Sequence, residues 1–306
     1  MSEPLVSFIM PVFNRANVIE KALDGIIRER RENYPNLEIV VIDGGSKDGT
    51  VDILKRYGGE IDYWISERDS GVPEAFNKGV KAARGGIIRY IASDDGVQNG
   101  FTRTMMEYLV AHPDVAIAGA LANYYLVGLD GQPRVDSNMP AYGPGRLDFR
   151  QTLLWTKGER FSLIESWFIR RSVFENIGYL DTRYRICPDY DFALRVVKAG
   201  LIFEVLPHRI VDKCFYGDGS NLVSDEKKML KEGREVIRRH AGRTVQGWIL
   251  LYNYPRPLHQ RFAARMVKAF FSLWLAVVMG WKKTSPGSYA FFQKVLKTRN
   301  SAKIFL

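Results

Sequence analysis

Apolar positions in the first 125 residues alternate between two spacings. Val6–Val12 is an apolar, β-branched run, and Val18, Ile19, Ala22, Leu23, Ile26 and Ile27 follow it at helical spacing. Residues 37–42 form a second short apolar run that stops at Asp43-Gly44-Gly45, and Ser46-Lys47-Asp48 offers an N-cap signal for a helix reaching about Tyr57. A strand over 61–65, a helix over 73–83, a strand over 87–92 and a helix over 101–112 continue the series. Strands and helices alternating in this way predict an α/β protein with a mostly parallel sheet covered on both faces. Ligands of such sheets bind beyond the carboxyl ends of the strands. Three polar clusters fall at those ends: Asn14-Arg15, Asp43 and Ser93-Asp94-Asp95.

The second half is less regular. Residues 128–145 are rich in Gly, Pro and Asn and predict a long loop. The block 147–223 mixes short strands with a helix over 189–199, and 224–240 predicts a helix with an acidic start and a basic end, as the helix dipole favours. Neither an internal repeat nor a low-complexity segment is evident.

Charge separates the last fifty residues from the rest. The chain has 306 residues and a formal charge of +10, yet 255–306 holds ten basic side chains and no acid, and residues 1–254 balance at 34 against 34. A neutral body with a cationic tail weighs against a nucleic-acid binder, whose charge would line its main folded surface. Two cysteines, Cys187 and Cys214, give no disulfide framework and favour a reducing compartment. No basic stretch followed by an apolar one marks a signal peptide at the N-terminus. The longest strongly apolar run, 269–281, would reach only about 20 Å as a helix, short of a bilayer core of roughly 30 Å. Arg261, Arg265 and Lys268 share one helical face, while Phe262, Met266, Phe270 and Leu273 share another, with Trp274 and Trp281 as interfacial rings. That pattern fits a helix lying on an anionic membrane, and its rival is an appendage packed on the body or on a second copy of the chain.

Neither G-x-G-x-x-G after the first strand nor G-x-x-x-x-G-K-[ST] occurs, so a bound nucleotide would need another phosphate anchor. Ser93-Asp94-Asp95, directly after an apolar strand, supplies hard oxygen ligands for Mg²⁺ or Mn²⁺; alone it is equally a turn. Context decides. VSFIMPVFNR (6–15), IVVIDGGSKDGT (39–50), ERDSGVPEAFNKG (67–79), IASDD (91–95) and DYDFALR (189–195) stand in the order and spacing of motifs in family 2 glycosyltransferases, and the chain resembles that family over about residues 5–225. Those are inverting enzymes of GT-A fold that use nucleotide-sugars.

The resemblance implies a role for each matching residue. Pro11, Phe13 and Asn14 would line the base pocket with Glu20 nearby, and Asp43 would accept a hydrogen bond from the base, usually uracil. Arg68 and Asp69 would border the ribose and the sugar. Asp94 would contact the ribose, and Asp95 would ligate the Mn²⁺ or Mg²⁺ that bridges the diphosphate. Asp189 would be the general base. Asp191, two residues on, is the second candidate for the catalytic base; on a helix the two carboxylates point in different directions, and Arg195 stands one turn beyond Asp191 as an ion-pair partner. Where relatives often carry Glu-Asp this chain has Pro188-Asp189, and residue 13 is Phe where Tyr is common.

Residues 1–125 are then expected to be the nucleotide-sugar half of one domain, 126–241 its acceptor half, and 242–306 a helical basic tail that binds membrane or makes an oligomer. The expected activity is inverting transfer from a UDP-sugar to a hydroxyl of a carbohydrate or lipid-linked saccharide, facing the cytoplasm during surface polysaccharide assembly. A non-catalytic nucleotide-sugar or polysaccharide binding module of the same fold is the rival expectation.

Overall fold

The computed structural model describes residues 3–127, 133–135, 145–153, 164–216 and 226–253. The chain divides into two compact units, Met1–His240 and Ala241–Leu306.

In the first unit the elements follow the order β1 (Val6–Val12), α1 (Ile19–Glu32), β2 (Leu37–Asp43), α2 (Thr50–Arg56), β3 (Tyr63–Ser66), α3 (Val72–Ala82), β4 (Ile87–Tyr90), β5 (Gly96–Val97), α4 (Phe101–Ala111) and β6 (Val115–Val127). The hairpin strand β7 (Pro133–Val135), β8 (Gly145–Arg146), α5 (Phe149–Leu153), a 3₁₀ turn at Ile164–Ser166, β9 (Phe168–Arg170), α6 (Arg171–Ile177), α7 (Pro188–Lys198) and β10 (Ile202–Tyr216) follow. The helix α8 (Glu226–Asn253) is two helical pieces, because Gly242 at φ 82° and ψ 169° leaves the helical region. Of the second unit, the structure describes only the piece that ends at Asn253.

One sheet in the order β3-β2-β1-β4-β9-β6-β10-β5 carries the fold, with β7 added to β6 and β8 to β10. The first four strands are parallel. The strand β9 is antiparallel to both β4 and β6, so β6 and its parallel partner β10 run with the first four. Every residue of β1 and β2 is buried, as expected of parallel strands covered on both faces. Their side chains divide by parity. Val6, Phe8, Met10, Leu37, Ile39 and Val41 join α1 and α4 in one layer; Ile9, Val40 and Ile42 join α3, α6 and α7 in the other.

Two adjacent arginines, the last residue of β9 and the first of α6, tie those layers to the sheet. Arg170 donates to the carbonyls of Leu109 (2.6 Å), His112 (3.2 Å) and Val115 (2.8 Å), closing the end of α4. Arg171 does the same for α3 through Val80 (3.0 Å), Ala83 (2.6 Å) and Gly85 (2.8 Å). Both satisfy the orphan carbonyls of a helix C-terminus with a charge that the dipole favours.

The sequence expectations differ in four places. The strand over 87–92 stops at Tyr90, because Ala92–Asp95 folds into a turn in which the Asp95 amide donates to the Ala92 carbonyl at 3.1 Å. The helix expected from the Ser46-Lys47-Asp48 cap begins only at Thr50, behind Gly49 at φ 100°. Within 147–223, β10 is one long strand of 15 residues with register shifts, and α5 and α6 are helices beyond the one expected there. The loop expected over 128–145 contains β7 and the first residue of β8, and the rest of it lies outside the described residues, as do 217–225 and 254–306.

Candidate active site

The parallel strands β1, β2, β3 and β4 deliver their carboxyl ends to one edge, with Val12 level with Asp43 and Asp43 level with Ser66. The connections 13–18, 44–49, 67–71 and 91–95 therefore open side by side. Helix α7 packs on β10 and turns straight into it through Gly200 (φ 75°), so it runs antiparallel to that strand. Its N-terminus, with Asp189 in the first turn, faces the same edge.

A hydrogen-bond lattice joins the first two connections. The Asn14 amide donates to the Ser46 hydroxyl (2.7 Å), and the Lys47 amide donates back to Asn14 Oδ1 (3.0 Å). The Arg15 amide reaches Thr50 Oγ1 (2.9 Å), and the Ala16 amide reaches Asp48 Oδ2 (3.0 Å). Asp48 Oδ1 accepts from the Thr50 hydroxyl (2.6 Å) and amide (3.1 Å). Burial pushes the Asp48 carboxyl up, but these hydrogen bonds outweigh it and hold the group below its usual range. Asn14 takes φ 51°, a left-handed backbone that Asn tolerates better than most residues. The polar residues of the 43–50 motif thus act on each other and on the chain after β1, leaving the Phe13 ring 57% exposed above them. Pro11 lies beneath, buried in β1.

Asp43 is wholly buried. Its Oδ2 accepts from the Gly45 amide (3.0 Å), the Ser46 amide (2.9 Å) and the Ser66 hydroxyl (2.6 Å), while Oδ1 accepts from the Ser46 hydroxyl. An ionised carboxylate offers about four lone-pair sites, so Oδ1 keeps capacity for one more donor and Oδ2 keeps none. Asp69 lies close by: its Oδ2 is 2.9 Å from the point where a side chain would begin on Gly44, and the Gly71 amide donates to Oδ1 at 2.8 Å. Burial raises the Asp69 pKa, and the charges of Glu74 and Asp43 push the same way against the Gly71 amide and Lys78. Arg68 is exposed beside Gly45, and Lys78 is held by Glu67 (2.7 Å) and Glu74 (3.2 Å).

Asp95 is buried and Asp94 half-buried on the turn after β4, where the Ala92 amide donates to Asp95 Oδ2 at 3.3 Å. The pair is a hard-oxygen donor set of the kind Mg²⁺ and Mn²⁺ take. Among the described residues no three His, Cys, Asp or Glu side chains group into a protein-only cage. An ion here would take its remaining ligands from phosphate oxygens and water, which fits cations that keep few protein ligands.

Asp189 and Asp191 have different surroundings. Asp189 is half-buried in the first turn of α7, and the Tyr190 amide donates to its Oδ1 at 2.8 Å. Asp191 is wholly buried and faces the interior, paired with Arg195 (2.8 Å) and with His240 of α8 (2.9 Å). Burial raises the Asp191 pKa, yet the His240 and Arg195 hydrogen bonds and the Arg195 charge bring it below the ordinary value. Of the two carboxylates expected as candidates for the base, Asp191 is the one committed to buried partners and Asp189 the one that is half-buried. Glu20 sits on the exposed face of the first turn of α1, ion-paired with Arg56 of α2.

Two positioning contacts had no clear signal in the sequence. The Asn77 amide of α3 donates to the Leu180 carbonyl (2.8 Å) and accepts from the Leu180 amide (3.0 Å). Glu232 of α8 accepts from the amides of Arg185 (3.1 Å), Ile186 (2.7 Å) and Cys187 (3.0 Å). The segment leading to Asp189 is therefore held at both ends. An acidic residue within a helix is an ordinary surface feature in sequence, and only its three long-range partners distinguish Glu232.

The family model described as Glycosyl transferase family 2 matches residues 7–178. A Mycobacterium bovis protein named PGL/p-HBAD biosynthesis glycosyltransferase is 27% identical over 241 residues, covering 76% of this chain and 84% of that protein. The S. aureus TarS 1-349 structure in complex with UDP-GlcNAc superimposes with a TM-score of 0.59 at 15% identity, over 87% of this chain and 80% of that one. A mannosyltransferase from Pyrobaculum calidifontis, in complex with GDP-Man and Mn²⁺, gives 0.54 at 18% identity, over 97% and 81%. The fold expected from the sequence motifs is the fold found.

Proposed function

The chain belongs to glycosyl transferase family 2, and we propose that it moves a sugar from a nucleoside-diphosphate-sugar, a UDP-sugar by preference, to a hydroxyl of a saccharide acceptor with inversion. The observation that carries this reading is the single sheet edge shared by the exposed Phe13 ring, the Asp43–Asp69 pair, the Asp94–Asp95 turn and Asp189.

Each group has a task in that reaction. Phe13 gives a flat apolar face for the base, Pro11 and Asn14 fix the backbone under it, and the remaining lone pair of Asp43 Oδ1 accepts an imide N–H. Arg68 and Asp69 flank the ribose and the sugar, and Asp94 accepts from a ribose hydroxyl. Asp95 would hold Mn²⁺ or Mg²⁺, and such an ion, when bound, neutralises charge on the departing diphosphate. Asp189, in the first turn of α7, accepts the proton of the attacking hydroxyl. One displacement inverts the anomeric carbon, and no second nucleophilic carboxylate is needed.

Residues 1–125 form the donor half in this reading and 126–241 the acceptor half. The cationic, aromatic 255–306 segment supports an acceptor carried on a lipid. Among the described residues no helix is long and apolar enough to cross a membrane. The cationic 255–306 segment would instead hold the enzyme at an anionic surface facing the cytoplasm, and flotation with anionic liposomes, lost on deleting 255–306, tests that part.

The decisive experiment incubates the protein with Mn²⁺ and a panel of UDP- and GDP-sugars and follows nucleoside diphosphate release. Asp95→Ala and Asp189→Ala are each expected to lose activity by about a hundredfold or more. Full activity in either variant rejects the assigned role. Donor binding without turnover by the unaltered protein would instead indicate a binding module.

A further inference from the structure

Over residues 228–240 the helix α8 has two distinct faces. Gly233, Val236 and Ile237 are buried, with Met229 and Glu232 half-buried on the same side. Lys228, Lys231, Arg234, Glu235, Arg238 and Arg239 are exposed, so cations recur at 228, 231, 234 and 238 along the outward side. The acid among them, Glu235, is ion-paired with Arg238.

The inward contacts fix where that face sits. Glu232 accepts the amides of Arg185, Ile186 and Cys187, and His240 meets the buried Asp191 of α7 at 2.9 Å. This part of α8 therefore lies along the segment that leads into α7 and Asp189, and that segment adds Arg183 and Arg185, both exposed. Over 181–185 and 228–239, seven basic side chains stand against Asp181, Glu232 and Glu235. Glu232 is turned to the three amides, and Asp181 is bound to Arg183 and Arg239. Residues 1–254 balance as a whole, so this excess is a local concentration of charge.

The shape of the patch narrows its partner. Cations from 228 to 238 span about 15 Å along the outside of a helix, more than a single phosphate group covers. Leu230, 38% exposed, borders them. A second copy of the chain would set like charge on like across a twofold axis. A layer of phosphate headgroups above acyl chains matches both the row of charge and the apolar neighbour.

We propose that this face of α8, with Arg183 and Arg185, docks on an anionic lipid surface. The contact is made by the first unit itself, in addition to the one proposed for 255–306, and it brings the headgroups to the side of the site where Asp189 stands. It rests on the reading of the acceptor as carried on a lipid.

Sedimentation of the full chain with phosphatidylcholine vesicles containing about one-third phosphatidylglycerol tests it. Lys228→Gln, Lys231→Gln and Arg234→Gln together remove three charges from exposed positions and put in a residue of similar helix propensity. Each charge near an anionic surface contributes about fivefold, so this triple variant should partition about tenfold to a hundredfold less. Lys21→Gln, Arg28→Gln and Lys55→Gln remove the same charge from exposed positions of α1 and α2 and should bind like the unaltered chain. Equal losses in the two triple variants overturn the proposal, since net charge alone would then set binding. Loss of binding to duplex DNA or to inorganic phosphate, with vesicle binding intact, also overturns it by assigning the face to a soluble anion. UDP affinity by calorimetry should match between the first triple variant and the unaltered chain. A chain that binds no donor yet shows the vesicle difference rejects the transferase reading and keeps the surface. Donor turnover without a vesicle difference does the reverse.

Discussion

Asn77 and Leu180, 103 residues apart, hold each other through two hydrogen bonds, with the side-chain amide pairing both backbone groups of Leu180. The contact joins α3, which follows the donor-side strands, to the segment that leads into α7. Asn77→Ala should destabilise the fold by about 1–3 kcal/mol, since it leaves two part-buried backbone groups unmet. Asn77→Asp should fail to restore it, because a carboxylate faces the Leu180 carbonyl without a proton to donate. Urea denaturation of both variants is the check, and wild-type stability for either contradicts the two-point role.

Glu232 acts on the other end of the same segment. Replacing it with Ala frees the amides of Arg185, Ile186 and Cys187, so hydrogen exchange at those positions should accelerate while β1 and β2 stay protected. If Asp189 is the base, turnover should fall with nucleotide affinity unchanged. Unaltered exchange over 185–187 would show that the segment stands without α8.

Two glycines should behave differently on conversion to Ala. A Cβ at Gly79 would lie 2.3 Å from Ile9 Cγ2, where α3 rests on the sheet, so Gly79→Ala should cost about 1–3 kcal/mol of stability. A Cβ at Gly44 meets the Asp69 carboxylate at 2.9 Å, a side-chain end that can swing aside. Gly44→Ala should leave the melting temperature nearly unchanged and weaken UDP binding. Equal effects of both on UDP binding would remove Asp69 from the donor site.

Phe13 offers a test that leaves the fold alone, since its ring is mostly in solvent. Base–aromatic stacking is worth roughly 1–3 kcal/mol, so Phe13→Ala should raise the dissociation constant for UDP by about 5- to 100-fold and Phe13→Tyr should not. Calorimetry with UDP and Mn²⁺ measures it.

Asp191 and Asp189 should part company in variants and in acid. Removing one partner of a buried pair costs about 3–5 kcal/mol, so Asp191→Asn should be strongly destabilised, whereas Asp189→Asn should lose turnover and keep its stability. A carboxyl held below its unfolded value, 3.8 for Asp191, stabilises the fold above that pH and loses the contribution as pH falls through the depressed value. Melting temperature should therefore hold down to about pH 4 and fall below it, with a shallower acid limb in Asp191→Asn. An acid limb of equal slope in that variant would assign the loss to other carboxyls, such as Glu38 or Asp181.

Sequence by itself determined the local elements and the motifs. Val6–Val12 and the Leu37 strand fall where the apolar runs place them, and the carboxylates after β2 and β4 mark the edge where ligands would bind, because side-chain period and strand ends are local properties. Which carboxylates stay available was decided only by tertiary structure. Asp189 and Asp191 are two residues apart with the same chemistry, yet Asp191 alone meets Arg195 and His240 in the interior. Asp43, Ser46, Asp48 and Thr50 read as a binding motif, and folding shows most of their hydrogen bonds directed to each other and to residues 14–16. Arg89 reads as one charge in an apolar strand until the rings of Phe8 and Phe168 close around it. Partners 30 to 100 residues away are chosen by packing, and no local period encodes them.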